Sequence, residues 1–288
     1  MNVLSSEIIQ AIVRAALAED VGAGDITTEA AIPPEVRAEA AIVAKEPCIV
    51  AGLALVAAVF HELNSKVQVK LLVNEGDVVA KGARVCALAG SAHAILTGER
   101  TALNFLQRLS GIATLTREFV EAVAGTKAKI LDTRKTTPTL RLLEKYAVAA
   151  GGGTNHRMGL FDAIMIKDNH RVILARLGPK ALRNAVATAR KKHPDAPIII
   201  EADTLEQVEE AIAAGADHIL LDNMMPDELR EAVKLVAGRA KTEASGGVRL
   251  ASVRAFAETG VDYISVGALT HSARAVDFSL ELVGPTEV

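Results

Sequence analysis

The 288-residue sequence contains no tryptophan, and aromatic side chains make up only 3% of it. Proteins that hold single-stranded nucleic acid stack bases on aromatics, and that means is nearly missing here. A formal charge of −3 leaves no basic field to gather a polyanion, which argues against nucleic acid and against an anionic membrane as partners. No apolar run reaches the ~20 residues that a membrane-spanning helix needs. The first residues, MNVLSSEIIQ, lack the basic stretch followed by an apolar one that marks a secretory signal. Only two cysteines occur, Cys48 and Cys86, with no CxxC and no histidine at ligand spacing. They read as buried or idle thiols in a reducing cytosol rather than as a disulfide. What is present is a chain that is 50% hydrophobic, enough for one large core or two moderate ones. The expectation is a soluble cytoplasmic enzyme.

Ser5 or Ser6 caps a first helix whose Ile8, Ile9, Ile12, Val13, Ala16 and Leu17 form one stripe. A Gly- and Asp-rich loop, EDVGAGDITTEAAIPP, follows. Residues 36–90 alternate in the manner of strands, as at Val67, Val69, Leu71 and Val73, with a turn at Asn74–Asp77. Within them VNEGDVVAKGARVCALAG resembles the hairpins of lipoyl- and biotin-carrier domains, but it lacks the tip lysine that would be modified. From Ile95 to Ala124 the period is helical, with a break expected near Ser110-Gly111. Short apolar runs then alternate with amphipathic helices, the pattern of a parallel sheet. The runs are AKILDTRK, AVAAGGG, DAIMIKDN, PIIIEAD, HILLDN, KTEASGG and YISVGAL; seven strand candidates suit a barrel better than an open sheet.

Three of these runs share one register: Asp162 to Lys167, Asp217 to Asp222 and Asp262 to Gly267. Each starts on Asp and has Ile two places on and an aliphatic four places on. Period two puts those two residues on the helix-facing side and the fifth residue on the other, at the carboxyl end of its strand. In a barrel such ends form the rim on which active sites are built. The Asp residues read as structural groups at the opposite end.

The rim carries two opposed sets of charge. Arg134, Lys135, His156, Arg157 and Lys167 gather at the ends of neighbouring runs, where they would repel one another without an anionic ligand. Arginine's planar fork suits carboxylates or a phosphate. Glu201 and Asp222 suit a divalent metal, ribose hydroxyls or a developing positive charge. Glycines after two strands, at Ser245–Gly247 and Val266–Ala268, offer backbone N–H groups to a phosphate. Arg100 lies one helical face with Leu96, Leu103 and Gln107, either extending to solvent or covered by another subunit.

The stretch from Thr133 to His170 is joined by EDVGAGDITT at 19–28, GERTALNFLQRLSGIAT at 98–114 and ETGVDYISVGALTHS at 258–272. Together they make the chain resemble the quinolinate phosphoribosyltransferases, also called carboxylating nicotinate-nucleotide pyrophosphorylases, over essentially its whole length. The resemblance implies an α/β fold: an N-terminal α/β sandwich domain at 1–110, then an open, incomplete parallel α/β barrel at 111–274. The tail, 275–288, would pack back on the first domain. It implies phosphoribosyl transfer from 5-phosphoribosyl 1-pyrophosphate to quinolinate with decarboxylation, giving nicotinate mononucleotide, pyrophosphate and CO2 for NAD synthesis.

By the same resemblance Arg134, His156, Arg157 and Lys167 would hold quinolinate, Thr133 would be among the substrate-binding residues, and Lys135 would lie near the pyrophosphate or the leaving carboxylate. Glu201 and Asp222 would bind ribose hydroxyls and Mg2+, directly or indirectly, and Ser245, Gly246, Gly247, Val266, Gly267 and Ala268 the 5′-phosphate. Lys135, Lys167, Glu201 and Asp222 would be the catalytic group. The family works as homodimers or multiples of dimers, so Arg100 would reach a neighbouring active site. Two rivals stand beside this: a related pyrophosphorylase acting on nicotinate or a molybdenum-related ligand, and a carrier module built on the 66–90 hairpins. A full cationic set argues against the first, since nicotinate has one carboxylate. The missing modifiable lysine argues against the second.

Overall fold

The structure is a computed structural model that describes residues 4–283. In chain order its first elements are α1 (Ser6–Val21), α2 (Ile26–Ala31), β1 (Arg37–Ala44), β2 (Cys48–Ile49), α3 (Leu53–Leu63), β3 (Gln68–Leu71), β4 (Val78–Val79), β5 (Arg84–Ser91) and α4 (Ala92–Ala122). Then come β6 (Lys129–Leu131), α5 (Arg141–Ala150), β7 (Ile164–Ile166), α6 (Asp168–Ala175), α7 (Ala181–Lys192), β8 (Ile198–Ala202), α8 (Leu205–Ala214) and β9 (His218–Asp222). The chain closes with α9 (Pro226–Val236), β10 (Lys241–Ser245), α10 (Val253–Ala257), β11 (Tyr263–Ser265), α11 (Ala268–His271) and β12 (Phe278–Leu282). Two compact units result: residues up to 117 with 142–152 and those from 273 onward, and residues 118–141 with 153–272.

In the first unit the Ser5 hydroxyl caps α1 by accepting the Ile8 N–H at 3.4 Å, and Val13 and Leu17 on the apolar stripe are buried. The stretch expected as a loop contains α2, because Asp25 caps it. Its carboxylate accepts the Thr28 N–H at 3.0 Å and the Thr28 hydroxyl at 2.6 Å. Strands β12, β1, β5 and β3 form an antiparallel sheet in that order. Residues 278–282 thus pair with β1, while 284–288 lie outside the described residues. Helix α3 interrupts the alternating stretch. Leu53, Leu55, Val56, Val59 and Phe60 fill one buried side of it, and the Glu75 carboxylate accepts the Gly52 N–H at its start, at 2.8 Å. Cys48 and Cys86 are free and buried, and burial pushes their thiols up to about 11 and about 12.

Two expectations fail here for the same reason, close helix packing. Helix α4 runs unbroken through Ser110 and Gly111, where a break in the helix was expected. Its glycine serves approach rather than a break: a Cβ on Gly111 would sit 1.9 Å from the Arg274 carbonyl oxygen. The run AVAAGGG, expected as a strand, is instead the end of α5 and the turn after it, and 142–152 belong to the first unit. Leu143, Ala147, Val148 and Ala150 are buried at helical spacing, and residues this small pack well against a neighbouring helix.

The second unit holds the other six runs as a parallel sheet in the order β6-β11-β10-β9-β8-β7. Strands β6 and β7 are its two ends, and among the described residues only Thr154 adds a bridge at Leu131, so the barrel is open. All five residues of β8 are buried, as expected of a parallel strand covered on both faces. The shared register is clear in β9 and β11, where Ile219, Leu221 and Ile264 are fully buried on the helix side, while in β7 Ile166 is buried and Ile164 only half-buried. The opposite face packs Ala163, Ile199 and Leu220, with Met165 against them, as a floor inside the barrel. The Asp at the start of each repeat is structural. Asp217 accepts the Ile198 N–H at 2.8 Å and Asp262 the Thr242 N–H at 2.9 Å, each tying its strand to the neighbour. Asp162 departs from this, accepting the Met158 and Gly159 N–H groups at 2.6 and 3.0 Å and bracing the loop before β7.

Candidate active site

Above that floor, at the carboxyl ends of the strands, lies a cleft of about 810 Å3. Its lining includes Thr133, Arg134, Lys135, His156, Arg157, Lys167, Glu201, Asp222, Ser245, Gly246, Gly247, Val266, Gly267 and Ala268, all brought from separate runs to one place. Arg100 is not among them. It stands exposed on α4 in the first unit.

The cationic side is built on the segment after β6 and the loop before β7. Asp132, fully buried, accepts the His156 N–H at 2.8 Å and an Asn155 side-chain N–H at 2.7 Å, which pins 154–157 beside Thr133–Lys135. The Arg157 guanidinium is steadied by the Ala163 carbonyl at 3.2 Å and the Met165 sulfur at 3.5 Å. Burial and the nearby Arg134 charge both push the Arg157 pKa down, and Asp162 opposes them. Arg134 buries its Nε with no hydrogen-bond partner among the described residues. Two guanidiniums that repel each other, one with an unanswered buried donor, form a receptor for oxygen anions.

The acidic side faces it. Glu201, buried near the carboxyl end of β8, accepts the Asp168 N–H at 3.2 Å and lies 3.5 Å from the Lys167 ammonium. Glu201, Asp203 and Asp222 each bring a carboxylate oxygen within 4.8 Å of the others. Hard oxygen donors at this spacing fit Mg2+, which takes carboxylates together with substrate oxygens and water. Asp203 escaped the sequence reading because it lies past the strand end, with no pattern to single it out. The third side is backbone. Gly246 has φ +95°, and a Cβ there would meet the Asn223 side-chain oxygen at 2.2 Å, so only glycine lets the β9 and β10 turns interlock.

Sequence reasoning also missed the group beneath the cleft. Glu243, in the middle of β10, is fully buried, and its Oε2 lies 3.3 Å from His156 Nε2 and 3.0 Å from His218 Nε2. The two imidazoles stack with centroids 6.4 Å apart, and His218 leans on Tyr263 at 5.4 Å. Burial raises the carboxyl's pKa, but the two imidazoles outweigh it and hold Glu243 down at about 2. Its place in KTEASGG, between threonine and alanine, offers no signal in the sequence.

A model of the quinolinate phosphoribosyl transferase C-terminal domain matches residues 112–281, and one of the N-terminal domain matches 25–110. The chain belongs to the quinolinate phosphoribosyl transferase family. Among its relatives is a probable carboxylating nicotinate-nucleotide pyrophosphorylase of Bacillus subtilis, 50% identical over 269 residues, covering 92% of this chain and 90% of that one. A chloroplastic carboxylating enzyme of Arabidopsis thaliana is 45% identical over 95% of this chain and 82% of its own. The solved nicotinate-nucleotide pyrophosphorylase of Francisella tularensis superposes with TM-score 0.91 at 39% identity, covering 98% of both chains. For this family the sandwich and open barrel are the shared architecture, and the cleft described above lies in the part matched by the C-terminal domain.

Proposed function

We propose that this cleft transfers the phosphoribosyl group of 5-phosphoribosyl 1-pyrophosphate to quinolinate, with loss of CO2, and that the residues lining it divide the work. The observation that carries the reading is the Arg134–Arg157 pair: adjacent, partly buried guanidiniums with a buried donor unmatched, as a vicinal dicarboxylate requires. Arg134, Arg157 and Lys167 hold the two carboxylates, and Thr133 and His156 frame the ring. Lys135 stands over the pyrophosphate or the leaving carboxylate. Glu201 and Asp222 take the ribose hydroxyls, and the backbone at Ser245–Gly247 and Val266–Ala268 takes the 5′-phosphate.

Glu201, Asp203 and Asp222 are the residues that would hold Mg2+, which when bound neutralises the departing pyrophosphate. The chain's own contribution is charge placement. As the C1′–O bond to pyrophosphate breaks, Glu201 and Asp222 lie on the side where positive charge develops on the ribose. The pyridine nitrogen bonds to C1′ and becomes cationic. The C2–carboxylate bond then breaks, its electron pair stays on C2 beside that cation, and C2 takes up a proton. No protein nucleophile enters, so positioning and electrostatics supply the rate.

The protein is also read as a cytoplasmic homodimer or multiple of dimers. Leu160, Phe161, Val172, Ile173 and Leu177 stand exposed near the open edge of the barrel, and exposed Arg100 awaits a partner's cleft. Among the described residues no helix is long and apolar enough to cross a membrane. The test of the function is a steady-state assay with quinolinate, phosphoribosyl pyrophosphate and Mg2+, following nicotinate mononucleotide and CO2 together, with nicotinate as parallel acceptor. Equimolar product and CO2 from quinolinate alone is the expected result. Turnover with nicotinate instead would overturn the acceptor.

A further inference from the structure

Glu243 occupies a position where a carboxylate is costly. It lies in register with Leu220 on one side and Tyr263 on the other, level with the apolar floor of the barrel, and has no exposed surface. Removing an ionised carboxylate from water costs several kcal/mol unless partners repay it. Two imidazoles converge on one of its oxygens, at 3.3 and 3.0 Å. The arrangement has a direction. The Nδ1 of His156 accepts the Arg157 N–H at 2.6 Å, so a neutral ring carries its proton on Nε2, which is buried and faces Glu243. With its side chain 9% exposed, His156 offers ring carbons to the cleft and keeps both nitrogens for the protein.

The loop 154–157 belongs to no strand. Asp132 holds it through the His156 N–H at 2.8 Å, and the imidazole reaches down from it to the barrel interior. The ring is thus a strut between a strand-borne carboxylate and the N–H of Arg157, whose guanidinium enters the cleft. We propose that Glu243 is a positioning residue for the acceptor site: through His156, with the His218 ring packed 3.0 Å from the same oxygen, it sets the height and aim of Arg157. This deepens the functional reading and rests on it, since the group being aimed is the one that meets the acceptor's carboxylate. It also assigns His156 a different task from hydrogen bonding to substrate.

The first test is on the unaltered protein. With 15N-labelled histidine in the unaltered protein, the His156 ring being assigned among the seven histidines by its absence from the spectrum of a His156→Gln reference, His156 is expected as the Nε2–H tautomer with bare Nδ1, before and after saturation with quinolinate. An Nδ1–H tautomer, a doubly protonated ring, or a large nitrogen shift on adding quinolinate would overturn the proposal, whatever becomes of any variant. The second is Glu243→Leu, which takes the shared carboxylate oxygen away from both imidazoles at nearly unchanged volume. A small displacement of a binding group costs up to about two orders of magnitude, so KM for quinolinate should rise about tenfold or more. KM for phosphoribosyl pyrophosphate should stay within about twofold, since its contacts lie on other loops. Equal rises in both, or neither, in a folded variant would sink the positioning role. Absence of quinolinate turnover in the unaltered enzyme would instead refute the acceptor assignment, which keeps the two failures apart.

Discussion

Replacing Lys167 by alanine separates a functional charge from a structural one. The side chain is 48% exposed, and its ion pair is with Glu201 Oε2 at 3.5 Å. Exposed pairs of this kind contribute about 0.2–1 kcal/mol. The backbone contacts survive the substitution: the Lys167 N–H still reaches the His170 ring at 3.0 Å, and Glu201 still accepts the Asp168 N–H. At about 2–4 °C per kcal/mol for a chain of this size, the melting temperature should fall by no more than about 4 °C. The loss of a preorganised cation from a transition state that develops charge costs about 2.7–4 kcal/mol, or 10²–10³ in rate. Thermal melts and CO2 release measured on the same preparation therefore should diverge: near-normal stability with activity reduced at least a hundredfold, by the same estimate. Near-normal turnover in well-folded Lys167→Ala would refute the reasoning. A melting temperature lowered by more than about 8 °C would show that the lysine holds the fold.

Three other outcomes follow from the same geometry. Asp222→Asn removes one of the three carboxylates at the proposed cation position, so the Mg2+ concentration for half-maximal rate should rise about tenfold; an unchanged titration would exclude Asp222 as a ligand. Gly111→Ala places a methyl 1.9 Å from the Arg274 carbonyl, and the overpacking should cost about 3 kcal/mol or more, read as lost soluble yield or an early urea transition. Wild-type stability in that substitution would mean that the chain at 274 can yield. Glu46 accepts from the Arg274 guanidinium at 2.8 Å and from the Asp277 N–H at 3.0 Å, and Arg274 holds its carboxyl down at about 2. A folded pKa below the unfolded value stabilises above the unfolded pKa, and the gain disappears as pH falls from 4.5 towards 2. The stability gap between wild type and Glu46→Gln should therefore narrow across that window, and a gap constant with pH would contradict the pairing.

Most of the cleft was legible because parallel strands end in the same place. Once runs such as Asp217–Asp222 are aligned, period two separates helix-facing aliphatics from rim residues, and strand direction brings Lys167, Glu201 and Asp222 together. The misreadings have a common cause in packing. AVAAGGG has the apolarity of a strand, but its alanines lie on the buried side of α5, and Gly111 admits a crossing chain without ending its helix. Neither neighbour is visible from within the segment.

By itself, then, the order of residues determined where strands and helices alternate, which residues reach the rim, and the opposition of guanidinium and carboxylate across the cleft, because these depend on local periodicity and chain direction. Only the tertiary structure decided that Asp203 joins Glu201 and Asp222, and that Asp132 pins the 154–157 loop. It also decided that a carboxylate on β10 lies beneath two histidines from other parts of the chain. Burial and distance between remote segments set those relations, and no sequence spacing encodes them.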